Sequence, residues 1–274
     1  MRILYQSMTP VSHLKNYAES IQSHARISCA PDTQVDLNGL PAELFEGTSP
    51  TEVYGYPYLK YKICSSVFDI GRRAQAEGYD AYVLGSFSEP FLPELRSLLS
   101  IPVTSMVEAS VMLGCAFAEK IAFVSLTRGT ARRLRGVIRK HGVSERIAGF
   151  HSLAQPIEEN ELNAAFKDPS EVVARFMEAA ERAIGDEADL VIPAEGVINE
   201  VLFQAGVHEI DRVTVFDCVG ATLTYAEALV NLSKRSQIKI GRRWASQQPS
   251  AELLERVDRI VPGPAALAFR SDSR

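Results

Sequence analysis

Two short strand-to-turn segments that repeat at equivalent places constrain the fold of this chain more than any other feature. Residues 81–90 read AYVLGSFSEP, and residues 190–196 read LVIPAEG. In each segment a short apolar run, typical of a buried strand, ends at a turn of small residues, and a helical pattern follows. The residues before them also match, because a helical pattern and then Gly-Tyr-Asp-Ala or Glu-Ala-Asp-Leu lead into the two strands. The likeness of residues 72–92 to residues 182–202 therefore predicts two similar halves.

Strand-like and helical patterns alternate along nearly the whole sequence, which is typical of βαβ units with parallel sheets and helices on both faces. We predict an α/β fold of two similar domains with parallel sheets, related by pseudo-twofold symmetry, with the active site in the cleft between them. The predicted first domain comprises residues 1–108 and 218–274, and the second comprises residues 109–217. Strands are predicted at 2–6, 81–84, 103–105, 120–125, 147–151, 190–192 and 213–216, with weaker candidates at 27–29 and 34–37. Helices are predicted at 10–24, 60–76, 93–99, 108–118, 130–140, 169–185, 197–204, 221–234 and 250–257, with a loop at 39–56 and an irregular segment after residue 257.

The composition is that of an ordinary soluble globular protein. The 274 residues are 46% hydrophobic and 23% charged, and the formal net charge is −5. Because binding a polyanion needs a concentrated basic face, we predict no nucleic-acid partner. No apolar run approaches the roughly 20 residues that span a bilayer, so no membrane partner is expected. The first residues read as a strand rather than a signal sequence, which favours a cytoplasmic protein.

The cysteines and histidines show no spacing typical of a metal site. Cys29, Cys64, Cys115 and Cys218 are far apart and form no CxxC motif. They are expected to be reduced and mostly buried thiols. We therefore predict no metal site.

Two basic clusters are interpreted as solvent-facing. Residues 132–140 contain Arg132, Arg133, Arg135, Arg139 and Lys140, and Arg242-Arg243 lies near the end of the chain. Charge runs of this kind usually form a solvated helix face or a surface segment. Phosphate binding by these residues is the alternative.

The turn after the strand at 81–84 is the first candidate for chemistry. Gly85 allows a tight turn, so that Ser86 projects from the sheet edge and the following amides, with Phe87 and Ser88, can bind an anion. A polar helix cap is the other interpretation of Ser86.

Glu195 is the second candidate, because it follows the strand at 190–192 and precedes the next helix, with Gly196 beside it. It is either a first-turn residue stabilised by the helix dipole or a general acid or base in a closed cleft.

Small hydroxyl residues follow other predicted strands and suit either a substrate oxygen or plain helix capping. These candidates for substrate binding are Ser7, Thr9, Thr104, Ser125 and Thr127.

Taken together, these segments resemble the aspartate/glutamate racemase superfamily, and most closely its hydantoin racemase-like branch. Residues 7–9 stand where that branch has an Asn-Pro-Asn-(Thr/Ser) turn, and residues 85–90 stand where it has Gly-Cys-Phe-(Ser/x)-Asp-Pro. Residues 101–110, 122–127 and 216–229 match its later motifs in order and spacing.

The resemblance implies cofactor-free proton transfer at a carbon next to a carbonyl, which in the family is done by two facing thiols. Ser86 and Ala194 occupy the two cysteine positions here, so the two-thiol chemistry cannot operate at these positions. Glu195, one residue after the lost second cysteine, is the expected acid–base replacement, because a desolvated carboxyl group can rise well above its usual pKa of about 4.3.

We therefore expect a cofactor-independent enzyme acting on a small carbonyl, carboxylate or cyclic amide compound through an enolate or oxyanion, with racemase-like isomerisation as the family default. Hydrolysis of a ring amide or lactone and decarboxylation remain open, and so does a non-catalytic small-molecule binding protein. By analogy with related enzymes, a homo-oligomer is expected.

Overall fold

The computed structural model describes residues 1–157 and 159–261, and it contains two sheets. The first sheet has the strand order β2-β1-β3-β4, with all pairs parallel. The second has the order β6-β5-β7-β9-β8, in which the short strand β8 is antiparallel to β9. The strands are β1 (Arg2–Ser7), β2 (Gln34–Asn38), β3 (Ala81–Gly85), β4 (Val103–Ser105), β5 (Ile121–Ser125), β6 (Ile147–Ser152), β7 (Leu190–Pro193), β8 (Glu209–Ile210) and β9 (Val213–Val215).

Helices connect the strands in the same order in both halves. The first half contains α1 (Lys15–Ser28), α2 (Pro50–Val53), α3 (Pro57–Cys64), α4 (Val67–Ala76) and α5 (Leu92–Leu98). The remaining helices are α6 (Met106–Phe117), α7 (Arg128–Lys140), α8 (Glu159–Ala164), α9 (Ser170–Gly185), α10 (Gly196–Gln204), α11 (Cys218–Arg235) and α12 (Ala251–Ile260). Of the described helices, none is long and apolar enough to cross a membrane.

The strand order makes the two sheets equivalent. β2-β1-β3-β4 in the first sheet corresponds to β6-β5-β7-β9 in the second, so that β3 and β7, the two repeated segments of the sequence, occupy matching positions. The predicted α/β fold of two similar halves with parallel sheets is confirmed. The antiparallel strand β8 at the edge of the second sheet was not predicted, because two residues give no periodic pattern.

Apolar side chains cover both faces of the first sheet, because successive residues of a strand point to opposite faces. Tyr5 and Val83 belong to a large core cluster that also contains Phe123 and Ile192 of the second sheet. The opposite face, represented by Tyr82, belongs to a second cluster confined to the first half. The larger cluster thus joins the two sheets into one apolar core.

Helix α6 lies across the predicted boundary between residues 108 and 109. It contacts β3, β4 and α11, and it also contacts β7 of the second sheet. Helix α11 contacts β3, β4 and α1, which agrees with grouping the chain after residue 217 with the first half. The division at 108/109 and 217/218 stays a prediction, and residues 262–274 lie outside the described chain.

Several predicted elements differ in extent. The strand predicted at 27–29 is the end of α1, where Ile27 is 72% exposed and so contributes no buried strand. The predicted helix at 60–76 is divided into α3 and α4. The division falls where Ser65 and Ser66 donate their hydroxyl groups to the carbonyls of Lys62 and Ile63, both at 2.7 Å, which competes with the helical hydrogen bonds.

The predicted loop at 39–56 contains helix α2, and the signal for it was present in the sequence. Ser49 caps α2 by accepting a hydrogen bond from the amide of Glu52, and Pro50 occupies the first helical position. Helix α8 was also missed. Helix α4 ends at Ala76, and Gly78 just beyond it has a φ of +79°, a left-handed conformation that favours glycine after a helix.

Candidate active site

A cavity of about 480 Å³ lies where the carboxyl ends of strands from both sheets meet. It is bounded by the turns after β1, β3, β5 and β7 and by the helices beside them, so both halves of the chain contribute. The lining residues are Ser7, Met8, Thr9, Tyr17, Pro50, Thr51, Tyr54, Lys60, Gly85, Ser86, Phe87, Ser88, Ser125, Leu126, Thr130, Arg133, Leu134, Gly136, Val137, Lys140, Ala194, Glu195 and Gly196. Both residues predicted to be catalytic, Ser86 and Glu195, therefore border the same space.

The Ser86 turn is shaped by the glycine before it. A Cβ atom at Gly85 would lie 2.2 Å from the ring of Tyr5, so no larger residue fits at the end of β3 without displacing a core side chain. The Ser86 hydroxyl donates to the Ser88 hydroxyl at 3.0 Å and accepts the Ser88 amide at 3.1 Å. Since α5 begins only at Leu92, Ser86 is not a helix cap.

Glu195 combines the two roles that the sequence left open. It is the N-cap of α10, and its Oε2 accepts the amide N–H of Ile198 at 2.9 Å. Burial raises the pKa of its carboxyl group above the usual value, although the amides of Ile198, Val197 and Gly196 oppose the shift. The result is a half-buried carboxyl with a raised pKa in the cavity wall.

Tyr17 closes the floor of the cavity beside Glu195. A Cβ atom at residue 196 would lie 2.9 Å from the Tyr17 hydroxyl, so Gly196 allows the helix start to approach this ring. Burial raises the pKa of Tyr17, and the charges of Glu195 and Glu200 raise it further, so the phenol stays neutral and can donate a hydrogen bond. Tyr17 was not among the site residues predicted from the sequence.

Hydroxyl groups from the turns after β1 and β5 complete the polar wall. The Ser7 and Thr9 oxygens lie 2.9 Å apart, and Ser125 borders the cavity from the second sheet. The Tyr54 hydroxyl donates to the Met8 carbonyl at 2.6 Å and holds the β1 turn in place. On the apolar side, Phe87 packs edge-on against Phe123 of β5, with ring centroids 6.4 Å apart.

Two predicted substrate-binding residues lie outside this lining. Thr104 is buried and donates to Glu108 Oε2 at 3.0 Å, because β4 runs directly into α6 and leaves no open turn. Thr127 caps α7 and forms a reciprocal capping box with Thr130. It borders a smaller neighbouring pocket of about 110 Å³, which Thr9 and Glu195 also line.

Three basic side chains on the cavity were not predicted as site residues. Lys60 comes from α3, and Arg133 and Lys140 come from α7. The sequence did contain a signal that Arg133 and Lys140 lie together, because their spacing of seven residues puts both on one face of a helix. Both side chains are exposed, as the interpretation of a solvent-facing helix predicted, and they also border the cavity.

A buried side-chain contact connects the Ser86 turn to the end of α7. Nε2 of His141 lies 2.9 Å from Oε2 of Glu89, and both side chains are largely buried. Ser105, the cap of α6, also donates its hydroxyl to Glu89. This pair thus joins the first half of the chain to the second beside the candidate site.

A second buried network lies behind α10 and joins three helices. The ring nitrogens of His24 on α1 each lie 2.8 Å from a carboxylate, Glu200 on α10 and Asp217 at the cap of α11. Burial opposes a charge on His24, but the hydrogen bonds and charges of Asp217 and Glu200 outweigh it and raise the pKa of His24 to about 9. The network holds in place the helix that carries Glu195.

The cysteines take no part in the cavity wall as the structure describes it. Cys218 is fully buried at the start of α11, where its thiol lies 3.5 Å from the Pro193 carbonyl oxygen and burial raises its pKa. Cys29 and Cys64 are also buried, and Cys115 is partly exposed. Among the described residues, no group of three or more His, Cys, Asp or Glu side chains is arranged to hold a metal ion.

Comparisons with known proteins agree with this architecture. A family model described as Asp/Glu/Hydantoin racemase matches residues 40–226. The chain is 22% identical over 219 residues to a hydantoin racemase from Pseudomonas sp. (strain NS671), which covers 80% of this chain and 82% of that protein. Among solved structures, it is similar to allantoin racemase from Klebsiella pneumoniae, with a TM-score of 0.71, 22% identity and coverage of 91% of this chain and 94% of that one. It is also similar to a glutamate racemase from Bacillus anthracis, with a TM-score of 0.61, 14% identity and coverage of 85% and 82%.

Proposed function

Because the chain belongs to the Asp/Glu/hydantoin racemase family, we propose that it is a racemase-type isomerase of a small carbonyl compound, such as a cyclic amide of the hydantoin type. The resemblance inferred from the sequence is confirmed at the level of the family. The observation that carries the proposal is the presence of one carboxyl group with a raised pKa, Glu195, in the cavity that Ser86 also lines.

Glu195 is proposed as the base. A carboxylate whose pKa is raised by burial takes a proton from carbon more readily than an ordinary one, because it is a stronger base. It removes the hydrogen from the carbon next to the carbonyl, and the electron pair of the broken C–H bond moves into the carbonyl to form an enolate. The proton then resides on Glu195.

Ser86 is proposed to act on the opposite face of that carbon. An alcohol is a poor base, so Ser86 cannot simply replace a thiolate. With Ser88 it can hold a water molecule that gives a proton to the carbon, and the hydroxide left behind is neutralised by the proton on Glu195. The cycle then returns both the carboxylate and the water.

The developing negative charge on the carbonyl oxygen needs preorganised donors. The candidates are the amides of the Ser86 turn and the hydroxyls of Ser7, Thr9 and Ser125, with the neutral Tyr17 phenol beside Glu195. Hydrogen-bond donors fixed around an oxyanion in a site of low dielectric constant commonly supply a large share of a rate enhancement.

The matched family and the curated relatives favour racemisation over the hydrolase and decarboxylase alternatives. The direct test is to incubate the protein with single enantiomers of 5-substituted hydantoins and allantoin, and to follow optical rotation together with product analysis. We expect loss of rotation without a change in covalent composition. Ring opening would favour a hydrolase and release of CO₂ a decarboxylase, whereas binding without any conversion would favour a non-catalytic binding protein.

A further inference from the structure

Three cations border the cavity on its more exposed side. Lys60 approaches from α3 in the first half, and Arg133 and Lys140 approach from α7 in the second half. The whole chain has a net charge of −5, so this concentration of positive charge does not reflect a general excess of basic residues. Glu195 is the one acidic side chain among the described lining residues.

The geometry of α7 separates these cations from the other basic residues of the same helix. Residues 133, 136, 137 and 140 all line the cavity, and their spacing of three, four and seven places them on one helix face. Arg132 and Arg135 border a different surface pocket beside Phe150, with the Arg135 guanidinium 5.2 Å from the centre of that ring. Only one side of this basic helix therefore faces the candidate active site.

Among residues 1–157 and 161–261, whose side chains the structure describes, none of the three cations has a carboxylate partner. Other basic residues do, as with Arg96, which pairs with Glu108, and Arg175, which pairs with Glu161. Burial lowers the pKa of Lys60, and although Cys64 opposes this, the charges of Arg133 and Lys140 lower it further. A ligand anion placed between the three would relieve their mutual repulsion and replace their missing counter-charge.

Gly136 leaves room for such an anion beside α7. A Cβ atom at this position would meet nothing within 4 Å, so packing does not require a glycine there. A glycine in a helix interior costs stability, because it loses more backbone freedom on folding than alanine does. Its position between Arg133 and Lys140 on the cavity face lets a ligand approach the helix closely.

We propose that the cavity binds a substrate carrying an anionic oxygen group, a carboxylate or a phosphate, which Lys60, Arg133 and Lys140 hold away from the reacting carbon. Repulsion from the Glu195 carboxylate directs the anionic group toward the cations. The carbon that loses its proton therefore enters the cavity first, and the anionic group stays outermost. The guanidinium of Arg133 suits either group, because its donors match planar carboxylate and phosphate oxygens. The inference that this ligand is a substrate rests on the proposed function. The inference that it is an anion rests on the three cations.

The test compares the binding of a matched pair of probes by isothermal titration calorimetry. 5-Carboxymethylhydantoin carries the anion, and the corresponding primary amide has nearly the same shape without the charge. We expect the wild-type protein to bind the acid at least about tenfold more tightly, with the difference shrinking as salt is added. Succinate and inorganic phosphate, titrated separately, distinguish a preference for carboxylate from one for phosphate.

Variants of α7 provide matched controls. Arg133→Gln and Lys140→Gln should each remove most of the preference for the acid, whereas Arg132→Gln, on the other face of the same helix, should leave it unchanged. Circular dichroism melting curves establish that the variants are folded. Equal binding of acid and amide, equal effects of Arg132→Gln and Arg133→Gln, or no binding of any anionic probe would each overturn the proposal.

Failure of this inference is distinguishable from failure of the proposed function. Binding is measured without turnover, and Glu195→Gln should retain or increase the preference for the acid, because the three cations remain and the repelling carboxylate is removed. If the preference is found but no compound is racemised, the anionic ligand class stands and the enzymatic role falls. If racemisation is found with no preference for anions, the enzymatic role stands and the anionic ligand class falls.

Discussion

The carboxylate of Glu195 accepts the amide N–H of Ile198 at 2.9 Å and at the same time forms part of the wall of the cavity. One side chain thus caps a helix and presents an acid–base group to a ligand. The cap fixes the carboxyl group at the positive end of α10, while burial raises its pKa. Substitutions at Glu195 can therefore separate the loss of the helix cap from the loss of the acid–base group.

Replacing Glu195 by two different residues should separate the cap from the base. Gln can still accept the Ile198 amide through its side-chain oxygen, so Glu195→Gln should change the free energy of unfolding by less than about 1 kcal/mol, whereas Glu195→Ala should cost about 1 kcal/mol more than Gln. Urea denaturation measures both. Equal losses for Gln and Ala would show that the cap contributes nothing measurable.

The pH dependence of turnover should report the raised pKa of Glu195. The base is active only when ionised, so kcat/KM should rise with pH through a pKa above the usual 4.5 of a glutamate. The rising limb is measured with any substrate found in the optical-rotation assay. A limb at or below 4.5 would contradict the role of burial at this residue.

Substitutions at Ser86 should follow the order expected for a group that holds a proton donor. Ser86→Ala should lower kcat by about 10²-fold, in the range of a lost acid–base group. Ser86→Cys should retain activity or increase it, because a thiol has a pKa near 8.5, far closer to ambient pH than that of an alcohol. Unchanged kcat in Ser86→Ala, measured beside a folded control, would remove Ser86 from the mechanism.

The His24 network should make stability depend on alkaline pH. The pKa of His24 is raised from 6.5 to about 9 in the folded protein. The stabilisation of the folded state by the charged ring is therefore fully present below about pH 6.5 and is lost as pH rises through 9. The loss should be on the order of 3 kcal/mol. NMR titration of the His24 ring, with urea denaturation across this range, measures it, and a ring that titrates near 6.5 would contradict it. The exposed residue His13 supplies the control, since His13→Gln should leave the pH profile of stability unchanged.

The strands and the two facing turns could be predicted from the sequence because their signals are local. The apolar runs ending at Gly85 and Pro193 show both the strand and the place where the chain turns, and Ser86 and Glu195 follow from position alone. Parallel strands bring each turn to the carboxyl edge of its own sheet, and the likeness of the two segments predicted that the two edges face one cleft.

The rest of the candidate site depends on how helices pack, which no local pattern records. Lys60 and Arg133 are far apart in sequence and meet only because α3 and α7 border the same cavity from opposite halves. Thr104 looked like another turn residue, but its strand continues directly into a helix and its hydroxyl is used by Glu108. The division between α3 and α4 was hidden because Ser65 and Ser66 interrupt hydrogen bonds without interrupting the apolar pattern.

Removal of the proton from the substrate carbon by the Glu195 carboxylate can be followed through solvent deuterium exchange. NMR of an enantiopure substrate in D₂O, with protein-free samples correcting for spontaneous exchange, reports breaking of the C–H bond whether or not the configuration is inverted. We expect wild-type protein to incorporate deuterium at that carbon and folded Glu195→Gln to do so at least about 10²-fold more slowly. Exchange by Glu195→Gln at the wild-type rate would show that this carboxylate is not the base.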